Sequence, residues 1–218
     1  MARAQDASVR FLAVLLALAA IAIASGCGDD DDESAESADN AVELSGRIDQ
    51  VATKFSGYGF VTRLDGVESS ELTEAGGSEI TEKDARVTFK FDAALESRAV
   101  VGNSFSIATE GTISFYLDDK PGADFEDPDS FASGDEVATG TLRATDVVTV
   151  YAPDSGIATA TGAMELKDGG TFELGNTEAS IGESGDEFRL ELVGRGARTD
   201  ALIPESNFDF AGQLLQVD

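Results

Sequence analysis

The chain has 218 residues, no histidine, no tryptophan and a single cysteine, and its 42 acidic residues outnumber its 15 basic ones for a net charge of −27. The missing histidine excludes Ser-His-Asp and Cys-His catalysis, the usual zinc and copper sites, and the commonest proton shuttle near neutral pH. The charge argues against nucleic acid and anionic membrane surfaces as electrostatic partners, and one cysteine excludes an internal disulfide.

The N-terminus reads as an export signal. Arg3 and Arg10 precede the apolar run FLAVLLALAAIAIA at residues 11–24. That run is shorter than the roughly 20 residues a bilayer-spanning helix needs, so it reads as a signal peptide and not as a membrane anchor. Ala24, Ser25 and Gly26 then lead into Cys27. This resembles the lipobox of bacterial lipoproteins, in which the cysteine takes a diacylglycerol and becomes the mature N-terminus. Ala24 departs from the larger aliphatic residue usual in that motif. The resemblance implies lipidation of Cys27 and anchoring on the extracytoplasmic face of a bacterial membrane. Two acyl chains, at about 0.8 kcal/mol per buried CH₂, hold such an anchor stably. Residues 28–41, GDDDDESAESADNA, carry seven acids and no base. They cannot bury enough apolar surface to offset ordering entropy, and like charges extend them, so they read as a disordered tether. The expected organisation is a signal peptide over 1–26, a lipidated cysteine and tether over 27–42, and one domain over 43–218.

From Glu43 onward apolar residues alternate at period two, the pattern of strands with one buried face. Leu44, Gly46 and Ile48 share a face. So do Val87, Phe89 and Phe91, then Phe105 and Ile107, then Ile113, Phe115 and Leu117. Residues 65–83 are polar and glycine-bearing and read as a loop with one helical turn near Ser70–Ala75. Strands are expected at roughly 136–151, 157–167, 171–181 and 187–195, running as an antiparallel meander. Ala152-Pro153-Asp154-Ser155-Gly156 and Lys167-Asp168-Gly169-Gly170 supply turn chemistry between them. All four prolines fall between strand candidates. Gly140, Gly162 and Gly194 inside strand patterns suggest bends or bulges. The fold class is all-β: a single antiparallel up-and-down barrel of about eight strands, with a β-sandwich as the alternative.

Two sets of residues are candidate sites. Phe89, Phe91, Phe105, Phe115, Tyr116, Val148, Val150, Leu190 and Leu192 would line the lumen, which in an eight-stranded barrel is either filled by side chains or just wide enough for one small ligand. Tyr58, Tyr116 and Tyr151 are the candidate polar groups of such a pocket. Asp118, Asp119, Asp124, Glu126, Asp127 and Asp129, in the loop 118–136, are the candidate calcium ligands, although they do not follow the EF-hand pattern. Phe125 and Phe131 should pin that loop to the barrel. No pair of carboxylates stands out for acid–base catalysis.

Residues 131–198 contain GDEVATGTLRATDVVTVY followed by GIATATGAMEL. This resembles the bacterial allene oxide cyclase and dirigent barrel group, which implies an eight-stranded antiparallel barrel. The glycine-aspartate opening expected in that group is missing, so no functional residue carries over. The expected function is a membrane-anchored lipoprotein with a non-catalytic binding or interaction domain. A barrel enzyme or carrier for a small apolar ligand, and a calcium-stabilised envelope domain, are the alternatives.

Overall fold

Eight strands close into a barrel in the computed structural model, which describes residues 42–77, 79–200 and 205–217. The export segment, Cys27 and the acidic tract to residue 41 lie outside the described residues. In chain order the elements are β1 (Val42–Val51), β2 (Lys54–Leu64), β3 (Val87–Val101), β4 (Ser104–Leu117), a 3-10 turn (Pro128–Ala132), β5 (Asp135–Ala152), β6 (Ser155–Asp168), β7 (Thr171–Leu174), β8 (Thr177–Ser180), β9 (Glu187–Asp200) and β10 (Glu205–Val217). Around the barrel the order is β1, β10, β9, β6, β5, β4, β3, β2. Every neighbouring pair is antiparallel. Closure removes the exposed edges that a sandwich would leave.

The structure departs from the sequence-based expectation in five places. The segment 171–181 is not a barrel strand. It breaks at Gly175, which takes a φ of 66°, into the hairpin β7–β8 outside the barrel, and β6 pairs directly with β9. Residues 70–75 form turns and an isolated bridge from Thr73 to Ala85, not a helical turn. At the β5–β6 turn Asp154 itself takes the positive φ, 56°, and Gly156 already belongs to β6. Of the three flagged glycines only Gly140 sits at a register shift; Gly162 and Gly194 pair regularly. Finally, β1 begins at Val42, which the sequence reading placed in the tether.

β2 and β10 were not legible as strands. In β2, Gly57, Tyr58, Gly59, Phe60 and Val61 are buried consecutively, so both faces are covered and the alternation disappears. Phe208, Phe210, Gly212 and Leu214 in β10 do alternate, but polar and glycine residues dilute the signal.

The two ends of the barrel are built differently. Two-residue turns join β1 to β2, β3 to β4 and β5 to β6 at one end. At the other end the long links 65–86, 118–134 and 169–186 fold over the barrel. There Leu72, Leu174, Ala179 and Ile181 from the links join Leu64, Val87, Phe115, Leu166, Phe188 and Leu214 from the strands in one buried cluster. A second cluster lies outside the wall. Tyr58 and Phe60, on the outer face of β2, pack against Ala85, Ala123 and Phe131 with Phe125 beside them. Phe131 is fully buried, with its ring 5.3 Å from Tyr58 and 5.1 Å from Phe125. The expectation that Phe125 and Phe131 pin the acidic loop to the barrel therefore holds. The Tyr58 hydroxyl donates to Asp49 at 2.6 Å, and burial together with that carboxylate pushes its pKa up to about 12.

Candidate functional site

The filled core occupies only the loop-capped half. Towards the tight-turn end the lumen widens into a cavity of about 380 Å³. That size falls at the lower end of small-molecule sites, which run ~300–1,000 Å³. Period-two alternation builds its wall, because each strand turns every second side chain inward. Phe89, Phe91 and Leu95 come from β3, Phe105, Ile107 and Ile113 from β4, Val148 and Val150 from β5, and Leu190 and Leu192 from β9. Small residues keep the space open: Ala144 on β5, Ala158 and Ala160 on β6, and Gly194 and Gly196 on β9.

Seven of the nine lumen residues expected from sequence line this cavity. Phe115 faces the same interior but is fully buried in the filled half. Tyr116, expected in the lumen, is not there: it follows Phe115 on β4, so the pleat turns it to the outer face, beside Thr88 of β3. Thr88 donates to the backbone carbonyl of Phe131 in the overlying loop, which marks that side as the outside. The other two tyrosines do not serve the lumen either. Tyr58 belongs to the outer cluster, and Tyr151 is 61% exposed near the rim.

The polar group inside the cavity is Asp146, which sequence reasoning did not single out. It lies on β5 two residues before Val148, and its ladder partners are Ile107 and Ala160, both buried. Among the described residues its side chain makes no hydrogen bond and no ion pair. Burial alone pushes its pKa up from 3.8 to about 6. No nearby cation contributes to that value, so the shift reports desolvation of the carboxylate by an apolar wall. Thr109, buried on β4 and paired with Ala144, adds a hydroxyl to the same wall.

The remaining charged groups lining the cavity, Arg98, Asp154, Arg198 and Glu205, sit at the rim. β3 runs past the end of β2, whose Lys54 pairs with Ala94, so Arg98 stands above the closed part of the wall. Its guanidinium lies 4.6 Å from the Phe105 ring centroid. Arg198 is 3.7 Å from the Asp154 carboxylate across the β6–β9 corner. Val51, Val100, Val101 and Tyr151 lie at the strand ends of this same rim and are exposed.

Three of the candidate calcium ligands in the acidic loop, Asp118, Asp124 and Asp129, have partners within the protein. Asp118 accepts from the backbone N–H of Lys120 and from the Ser133 hydroxyl, both at 2.8 Å. Asp124 accepts from the backbone N–H of Glu126 at 3.0 Å. Asp129 pairs with Lys90 on β3 at 2.7 Å, which lowers its pKa. These three carboxylates thus cap their own turns or tie the loop to the barrel. Among the described residues no group of three or more carboxylates, with or without cysteine or histidine, is gathered where it could hold a metal ion.

Compared with known proteins, the chain matches no family model, no curated sequence and no solved structure. The likeness of residues 131–198 to the allene oxide cyclase and dirigent group therefore rests on its residue pattern alone. What stands beside that pattern is a closed eight-stranded antiparallel barrel with a half-filled, half-open lumen.

Proposed function

We propose that this chain is a lipid-anchored envelope protein whose barrel binds one small, mainly apolar molecule in its lumen without transforming it. The observation that carries the reading is the apolar cavity of about 380 Å³ at the tight-turn end. A barrel that only displayed outer surfaces would gain stability by filling that space, because each missing contact forfeits dispersion and transfer energy. Exposed apolar residues at the rim, Val51, Val100, Val101 and Tyr151, support the same reading by giving an apolar molecule a surface to meet before it enters. Binding is favoured over turnover because Asp146 has no second titratable group beside it in the lumen among the described residues, and acid–base chemistry usually needs a partner. The anchor rests on the N-terminal pattern that ends at Cys27.

The test is displacement of an environment-sensitive fluorophore from the full chain, compared with the variant Ala144→Phe. Ala144 lines the cavity, and a ring placed there occupies it. Because the apolar segment 11–24 can also take up apolar dyes, only binding that Ala144→Phe abolishes counts as lumen binding. Loss of the dye signal in a folded variant supports the reading, and identical dye binding by both proteins refutes it. Mass spectrometry of palmitate- or diacylglycerol-labelled chain from a bacterial host tests the anchor, which an unmodified Cys27 would refute.

A further inference from the structure

We propose that the lumen selects apolar molecules carrying a protonated amine, and that Asp146 is the group that pairs with the ammonium. The inference rests on the reading of the lumen as a binding cavity and names the ligand class for it.

The cavity wall is built mainly from Phe, Leu, Ile, Val, Ala and Gly, with the Thr109 hydroxyl among them, so most of the guest must be apolar. Among the described residues the wall below the rim carries one charged side chain, Asp146. Its ladder neighbours Ile107 and Ala160 are both buried, and among the described residues no donor reaches the carboxylate. An ionised carboxyl accepts hydrogen bonds and donates none. It therefore asks its environment for donors, and among the described residues no group of the wall, the Thr109 hydroxyl included, hydrogen-bonds to it. A guest with an ammonium group brings up to three N–H donors and the opposite charge, and in a water-poor cavity such a charge-assisted pair is worth more than in bulk water.

Other guest chemistries fit less well. A fatty carboxylate would place a second negative charge beside Asp146 inside a chain of net charge −27. A hydrocarbon would displace water from Asp146 and leave it without a partner, which costs the full desolvation of the group. An alcohol supplies a single neutral donor. The charge of the whole chain also concentrates cations around it and raises their encounter rate with the mouth.

The charged groups that face the cavity from other elements do not compete for Asp146. Arg98 of β3 lies over the Phe105 ring, and Arg198 of β9 is held by Asp154 in the β5–β6 turn. Glu205 of β10 is a rim acid of the same sign as Asp146. Burial is the whole cause of the raised Asp146 pKa, so neither arginine acts on it at that depth. Amine binding should accordingly weaken as pH falls through about 6, where Asp146 takes up a proton.

The test is calorimetric titration of the full chain with octylamine, octanol and octanoate at pH 7.5 and pH 5.0, repeated with Asp146→Asn and with Ala144→Phe. Asparagine preserves the shape and removes the charge. At pH 7.5 octylamine should bind at least tenfold more tightly than octanol. That preference should fall to within about twofold in Asp146→Asn and shrink severalfold at pH 5.0. The acidic residues outside the barrel remain in Asp146→Asn, so amine uptake by them would survive the substitution and be recognised. If octylamine and octanol bind equally, with both abolished by Ala144→Phe, the amine inference is overturned and lumen binding stands. If none of the three binds in a manner sensitive to Ala144→Phe, the binding reading itself is overturned.

Discussion

Replacing Asp146 by asparagine should make the protein more stable, and increasingly so as pH rises. The folded-state pKa of Asp146 is raised by burial from 3.8 to about 6. Between those values the folded chain holds a proton that the unfolded chain has released. The protonated carboxyl therefore gives its greatest stability below pH 3.8, and that stability is lost as pH rises through about 6. Each pKa unit corresponds to about 1.4 kcal/mol, so the ceiling at alkaline pH is about 3 kcal/mol. Asp146 keeps some contact with solvent through the open mouth, and a discount for screening brings this to about 2 kcal/mol. Asparagine is neutral throughout and avoids the penalty. Near the isoelectric point of about 4.1 the protein should lose solubility, so the practical comparison is pH 5 against pH 8. The advantage of Asp146→Asn should be about 1 kcal/mol at pH 5 and about 2 kcal/mol at pH 8, or about 4–8 °C in Tm at the higher pH. Urea unfolding followed by circular dichroism measures it. Comparing the two proteins at each pH cancels the self-repulsion of the other carboxylates, which also varies with pH. An advantage that stays constant between the two pH values, or a destabilised variant, would refute the placement of Asp146 in an apolar wall. A destabilising carboxyl held at such a place is what a binding function, and not the fold, would require.

Three further outcomes are expected. Phe131→Ala should cost about 3–5 kcal/mol, because it empties a fully buried ring site between Tyr58 and Phe125, and it should expose the loop 118–134 to protease; a loss below 1 kcal/mol in chemical unfolding would contradict the pinning role. Gly57→Ala places a methyl group against the edge of the Phe91 ring, which lines the cavity, so the ring must swing into the open lumen. Stability should fall by only about 1 kcal/mol, the low end of overpacking, while dye uptake by the lumen falls severalfold; unchanged uptake would show that the ring moves elsewhere. Millimolar calcium should leave the Tm within about 1 °C of its value in chelator, since Asp118, Asp124 and Asp129 are engaged with backbone, Ser133 and Lys90; a rise of several degrees would indicate that the loop rearranges around the ion.

How much of this was legible in the sequence differs from strand to strand. Where one face meets the lumen and the other meets water, as in Val87–Phe89–Phe91 or Phe188–Leu190–Leu192, alternation announces both the strand and its inward side. That is why seven of the nine lumen residues were found. The same rule carries a signal for Asp146. It stands in phase with Val148 and Val150, and an acid in phase with an apolar face is a candidate buried carboxyl. Parity also excludes Tyr116 from the lumen: Phe115 and Tyr116 cannot both point inward on a regular strand.

Residue order alone fixes the strand type and the inward parity of those strands that alternate, and the breaks near 152–156 and 167–170, because backbone geometry and local residue chemistry act over a few residues. It also carried the pattern read as an export signal ending at Cys27. Only the tertiary structure decided that β6 skips the β7–β8 hairpin to pair with β9, that β2 is covered on both faces, and that one half of the lumen is plugged while the other stays open. Those outcomes depend on which distant links fold over which barrel end. Leu72, Leu174 and Ile181 fill the loop-capped end, and no comparable link covers the tight-turn end among the described residues. A cavity is the volume that remains after distant side chains have met, and no stretch of chain shorter than the whole barrel encloses it.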